Sequence, residues 1–197
     1  MLGENSMAVA IARGVNVFRL TSGSKNKAAH RQIAKIAFEE IARFSVYGPP
    51  KRMKFNPAKH AGRMKLTQFD EAMCLIRKSR EYVLGGGFFW HDWAATSLTS
   101  ATVRRLLEEG AIRRVGDAVA VSKGGGEGKE KWEQICFVGG PRDDGFRLIE
   151  TLVGGNKRAD ERWVFLPQGS PLIHLLRKKG YKRDFAMVLF ERRAAKG

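Results

Sequence analysis

A strand–turn–helix–strand unit occurs twice in this sequence, and no other feature limits the fold so strongly. In the first copy, residues 15–20 read as a strand, a polar turn follows, and 26–36 read as a helix. Ala37-Phe38 then leads into a second strand over 41–47. In the second copy the strand covers 162–166, the helix 171–178, and Gly180-Tyr181 leads into a strand over 185–191. Copies about 140 residues apart are too distant for a stacked solenoid, so they mark two related structural blocks.

A length of 197 residues and an apolar content of 43% allow a substantial core and exclude wholesale disorder. No apolar run approaches the roughly 20 residues that span a bilayer, and the N-terminus lacks the order of a signal peptide. Cys74 and Cys136 stand far apart without metal-ligand spacing, and read as buried thiols of a reducing cytoplasm. The four histidines likewise show no metal spacing, so no metal site is expected. The formal charge of +16 attracts anions: nucleic acid, an anionic cofactor or an acidic substrate. Its arginines and lysines are dispersed, with local density at 51–54, 104–105, 113–114 and 177–179.

Between the copies the chain changes character. Alanine-rich 7–13 reads as the end of a helix stopped by Gly14, and Gly48-Pro49-Pro50 ends the first block. The basic segment 51–63 reads as a connector, and a short strand is expected at 64–66. Phe69, Ala72, Met73 and Ile76 recur at helical spacing until Gly85-Gly86-Gly87. The aromatic run Phe88, Phe89, Trp90 and Trp93 suits packing, and His91 and Asp92 are candidates to line a cleft. A second helix is expected over 100–109, then strands over 111–115, 118–122 and 132–138, the last two joined by a glycine-rich loop. A helix over 145–153 precedes the second copy.

That order, with the helix of the first copy, resembles the GNAT superfamily of acetyl-CoA-dependent N-acetyltransferases. The family helix commonly carries Asn, Ala three residues on, often Tyr at seven, and Gly-Phe at eleven and twelve. Asn26, Ala29 and Phe38 match, while Ile33 and Ala37 replace the tyrosine and the glycine. The second copy keeps Gly180-Tyr181 but has Gly169 and Leu176 at the asparagine and tyrosine positions. The resemblance implies an α/β (α+β) fold with a mixed, mostly antiparallel central sheet flanked by helices. It divides the chain into 1–50, the C-terminal part of one GNAT-like domain, a connector over 51–63, and a second GNAT-like domain over 64–197. On that reading the first block's cofactor loop would precede Met1.

The function implied is transfer of an acetyl group from acetyl-CoA to a primary amine, on a small molecule or on a protein N-terminus or lysine, in the cytoplasm. The family holds the cofactor pyrophosphate on a Gln/Arg-x-x-Gly-x-Gly/Ala loop, where unpaired N–H groups and the helix dipole attract phosphate. Arg142 and Gly145 fit that pattern, Arg147 stands where a small residue belongs, and Asp143 and Asp144 add negative charge. With Asn26 and the strand residues Phe137 and Val138, these form the implied cofactor set. Glu133, on the strand that would approach the acetyl group, is the implied base for the attacking amine.

Two rivals remain open. One is a GNAT-like domain without catalysis, kept for binding or homodimerisation, which the missing tyrosines favour. The other is a basic nucleic-acid-binding protein, in which 99–122 would form the helix and wing of a winged helix.

Overall fold

A computed structural model describes residues 2–50, 61–91, 94–125, 132–155 and 161–194. In chain order the first block contains α1 (Leu2–Ala12), β1 (Val17–Gly23), α2 (Lys27–Lys35) and β2 (Glu39–Gly48). The middle contains β3 (Gly62–Arg63), a 3-10 turn at Leu66–Gln68, α3 (Phe69–Lys78) and α4 (Arg80–Leu84). There follow β4 (Phe88–His91), β5 (Ala94–Ser97), α5 (Ser100–Glu108), β6 (Ile112–Val115) and β7 (Ala118–Gly125). The rest is β8 (Trp132–Gly139), α6 (Arg142–Gly155), β9 (Glu161–Pro167), α7 (Leu172–Lys178) and β10 (Lys182–Arg193). The basic cluster at 51–54, Asp92, Trp93 and most of the glycine-rich loop lie outside the described residues.

The two copies share their local chemistry. After α2, the Ala37 and Phe38 N–H groups donate to Ala34 O and Ile33 O at 3.1 and 3.3 Å. After α7, Gly180 and Tyr181 donate to Arg177 O and Leu176 O, both at 3.0 Å. This is one helix-closing motif used twice, and it requires a left-handed residue before the aromatic. Gly180 takes φ +85° without strain, whereas Ala37 takes φ +57° with a Cβ. Phe38 and Tyr181 then turn inward, at 6% and 3% exposure.

In space the copies interleave. The large sheet runs β1-β10-β2-β9-β8-β7-β6-β3, so each copy's second strand lies between the two strands of the other. Phe44 pairs with Met187 at the centre, while Met187 also faces Gly23 and Phe44 also faces Pro167. The sequence offset relating Ala37 to Gly180 also relates Phe44 to Met187, so the copies are related by a pseudo-twofold axis near that pair. All ladders are antiparallel except β8 with β9, a mixed sheet of the kind expected.

Helices cover both faces of this sheet. On one face α6 and α7 bury Ile149, Leu152, Leu172 and Leu176 against Ala120, Ile135, Val138 and Val164. α1 and α2 extend this layer, with Met7, Ile33 and Ile36 against Val188 and Phe190. On the other face α3 and α5 bury Met73, Ile76, Val103 and Leu106 against Val119, Val121 and Phe137. The β4–β5 hairpin continues that side, with Phe88 and Trp90 against Phe44, Phe165 and Leu189.

Several local expectations change. Of residues 100–122, β6 and β7 pair within the large sheet and α5 packs on its face, so the hairpin is a packed sheet element. Cys74 is exposed, because it sits one position off the buried stripe of Ala72, Met73 and Ile76. The short strand falls at Gly62–Arg63 rather than 64–66. α6 begins at Arg142, a turn earlier than read, since the Gly145 N–H already donates to Pro141 O at 2.8 Å.

Candidate functional site

The one parallel pair among the described residues creates the natural place for a ligand. β8 and β9 are joined from Trp132↔Glu161 to Ile135↔Val164, but β8 runs on to Gly139 and β9 to Pro167 without further pairing. The ladder therefore opens into a wedge toward the C-terminal ends of both strands. A bulge starts the opening. Val121 pairs with Phe137 and Ser122 with Ile135, which leaves Cys136 as the extra residue on β8. Phe137 and Cys136 consequently join the α3–α5 core together, while Val138 returns to the α6–α7 side.

The mouth of this wedge is crossed by α4. Ser79 ends α3 and starts α4: its Oγ donates to Ile76 O at 2.7 Å and accepts the Tyr82 N–H at 3.2 Å. That hydroxyl lies so close to Gly139 that a Cβ there would meet Oγ at 2.5 Å. At the opposite side of the mouth, Ser170 Oγ donates to Glu81 Oε1 at 2.8 Å, and Leu84 packs beside Gly169. Glu81 is 1% exposed, and burial pushes its carboxyl above the usual range while the Ser170 hydrogen bond works the other way. Glu81 Oε2 has no hydrogen-bond partner among the described residues, which also favours the protonated acid. β4 covers the same side, with Phe89 beside the Phe137 core and Trp90 beside Phe165. From the other face Leu172 packs on Val138 and against the position where Gly145 would carry a Cβ, 3.3 Å away.

The strand-to-helix turn at the end of β8 is equally occupied. Gly140 sits at φ +124° against the backbone of Asp117, where a Cβ would meet Asp117 O at 2.5 Å. Asp144 accepts the Asp117 N–H at 3.2 Å and packs against Gly116, so its carboxylate ties α6 to the β6–β7 turn. An acetyl-CoA pyrophosphate needs unpaired backbone N–H groups and no anion at this turn. Two aspartates in the first turn and a docked hairpin are the reverse, and these residues do not fit the group.

The residues singled out from sequence are therefore dispersed. Asn26 caps α2, its Oδ1 accepting the Ala29 N–H at 3.0 Å. Phe137 and Val138 are buried on opposite faces of β8. Arg142 is exposed and pairs with Asp143 at 3.2 Å, while Arg147 is exposed and lies 3.7 Å from Asp144. Gly145 sits where α6 approaches α7. Glu133 lines a cleft of about 640 Å³ with His91, Arg63, Arg113 and the Lys123–Glu109 ion pair at 3.1 Å. Burial and then Arg63 hold the Arg113 guanidinium below its usual value, and Glu133 opposes them. Arg162 stands opposite Glu133 on β9, so this carboxylate is set among arginines. His30 packs its ring against Phe190, with Nε2 3.1 Å from Gly23 O. Among the described residues no three His, Cys, Asp or Glu side chains converge as metal ligands.

Sequence reasoning passed over α4 itself. Its signal was Ser79, a cap residue two positions before Glu81, with a helix of only five residues between it and Gly85.

No protein-family model matches the sequence, and no curated protein does. The fold does have relatives among solved structures. A GCN5-related N-acetyltransferase from Sphaerobacter thermophilus aligns at TM-score 0.53 and 9% identity, over 90% of this chain and 59% of that one. A putative acetyltransferase from Thermoplasma acidophilum aligns at 0.52 and 12% identity, over 98% and 62%. A putative GNAT-family acetyltransferase from Novosphingobium aromaticivorans aligns at 0.55 and 12% identity, over 91% and 75%. The chain thus spans about three-fifths of the length of the first two. At these identities the likeness is one of fold, and the fold is GNAT-like.

Proposed function

We propose that this chain is a GNAT-like domain that serves as a binding unit rather than as an acetyl-CoA-dependent acetyltransferase. The observation that carries this reading is α4. It spans the mouth of the β8–β9 wedge, its first turn held by hydrogen bonds of Ser79 and Ser170 and its last residue, Leu84, packed beside Gly169. Displacing it would expose Glu81 and disturb its flanking residues, Gly85 beside Phe44 and Ser79 beside Gly139. The Asp144–Asp117 tie supports the same reading at the phosphate end. The test is thermal unfolding of the full chain with acetyl-CoA. A ligand that binds only the folded state raises its stability by RT ln(1 + [L]/Kd). No shift at millimolar cofactor is the expected result, and a saturable rise in melting temperature would overturn it.

The second reading is N-acetyl transfer from acetyl-CoA to a primary amine, supported by the GNAT-like fold and by the bulge at Cys136 on the wedge strand. It assigns Glu133 as base and Asn26, Phe137, Val138, Arg142, Gly145 and Arg147 to the cofactor, with a small-molecule or protein amine as acceptor in the cytoplasm. Thiol release from acetyl-CoA in the presence of polyamine or lysine peptides measures it directly. Turnover that Gly145→Glu abolishes would establish this reading in place of the first.

A further inference from the structure

We infer that the seam between the two copies holds a site for a small phosphate-bearing molecule. On the α2/α7 side of the sheet, near the pseudo-twofold axis, is a cleft of about 430 Å³. Its rim carries Arg43 from β2, His174 and Arg177 from α7, and Arg183 from β10. Ser45 and Tyr47 line it too, with residue exposures of 7% and 0%. Both copies contribute, so the cleft exists only because the strands interleave.

Among the described residues, one of the three arginines in this cleft has a carboxylate partner. Arg43 is held by Glu40, with Nε and Nη2 2.5 and 2.7 Å from its two oxygens. Arg177 donates to the Tyr47 hydroxyl at 3.5 Å. Among the described residues no carboxylate lies within ion-pair distance of Arg177 or Arg183. Arg177 and Arg183 therefore bring two exposed guanidinium groups to the same cleft. A phosphate dianion offsets both charges, and the planar fork of arginine matches its oxygens in pairs. The Ser45 and Tyr47 hydroxyls add neutral donors. A volume of this size suits a small molecule rather than a groove that tracks a polymer. The cleft shares Gly169 and Ser170 with the mouth of the β8–β9 wedge, but its arginines Arg43, Arg177 and Arg183 are not among the residues assigned to the cofactor there.

The test is calorimetric titration of the full chain with inorganic phosphate and with pyrophosphate at low salt, paired with thermal unfolding. Saturable binding is expected, weakened about tenfold or more by Arg177→Gln and by Arg183→Gln. Arg177→Lys should recover part of that loss, because it keeps the charge but not the fork. Arg105→Gln, at an exposed position of α5, should bind as the parent does. Without ligand the Arg183→Gln chain should melt no lower than the parent, which checks that it folds. Absence of binding at millimolar phosphate and pyrophosphate would overturn the inference. So would equal losses in the Arg105 variant, which would mark diffuse surface charge. A short single-stranded oligonucleotide provides the competing source of phosphate. Binding of that oligomer through Arg177 and Arg183, with none of pyrophosphate, would make the seam a nucleic-acid contact instead.

Discussion

At the scale of single residues, the two copies run a natural comparison of glycine and alanine in one backbone state. Ala37 and Gly180 both close a helix in the left-handed region, at φ +57° and +85°. An L-residue there costs roughly 1–2 kcal/mol, partly offset by the chain entropy glycine loses on folding. Ala37→Gly should therefore stabilise the chain by about 1 kcal/mol, a rise of roughly 2–4 °C in melting temperature at this size. Gly180→Ala should reverse the effect for conformational reasons alone, since a Cβ there would come no nearer than 3.7 Å to Pro50. Glu81 makes a second prediction, in pH. Its folded pKa is raised above the ordinary 4.5, so the folded chain holds the proton more tightly than the unfolded one. The stability this contributes is present in full below the unfolded value and is lost as pH rises through the folded one. Glu81→Gln keeps the shape and the contact with Ser170 but cannot ionise. The stability difference between parent and variant, from urea unfolding at about pH 4 to about pH 8, should shift steadily against the parent as pH rises. A difference independent of pH would show that Glu81 does not titrate across this range.

At the scale of elements, α4 decides what the wedge can do. Gly139→Ala places a methyl against the Ser79 hydroxyl, which is fixed by its own two hydrogen bonds. Overpacking of this kind costs about 1–3 kcal/mol, so the melting temperature should fall, and Tyr82 fluorescence or α4 amide exchange should report loosening there first. Asp144→Ala should cost about 1 kcal/mol by removing the acceptor of the Asp117 N–H. Hydrogen exchange at the Asp117 amide is the direct readout, and unchanged protection would contradict the tie. Neither role could be read from sequence. Asp143 and Asp144 were visible as negative charge beside a phosphate loop, but the partner of Asp144 is 27 residues away, and only β6–β7 pairing brings it there. The start of α6 was misjudged for a local reason. Gly145 suggested a loop, whereas Pro141 preceding the first turn and the packing on Leu172 admit it into the helix. β5 was missed because Ala94–Ser97 has no alternation to announce it, and only its pairing with β4 makes it a strand. What was legible was what is local: the periodic stripe of α3, the closures of α2 and α7, and the apolar strands.

At the scale of the molecule, the duplicated unit was visible in the sequence but the exchange of strands was not. Strand order is set by non-local pairing, and both copies would have been satisfied by hairpins of their own. The exchange has a consequence for stability. β2 lies between β9 and β10, and its Phe44, Val46 and Tyr47 are at most 2% exposed, shared among two of the cores. A chain cut to 64–197 would leave the edges of β9 and β10 unpaired across the gap and expose Phe165 and Leu189 together. That fragment should not reach the native state alone, while addition of a peptide covering 1–50 should restore native near-ultraviolet dichroism. Because the pairing is mutual, the intact chain should unfold in one cooperative transition, with calorimetric and van't Hoff enthalpies in agreement. Two resolved transitions, or a 64–197 fragment that folds and melts cooperatively without its partner peptide, would mean that the blocks are independent domains and that the shared sheet adds little to either.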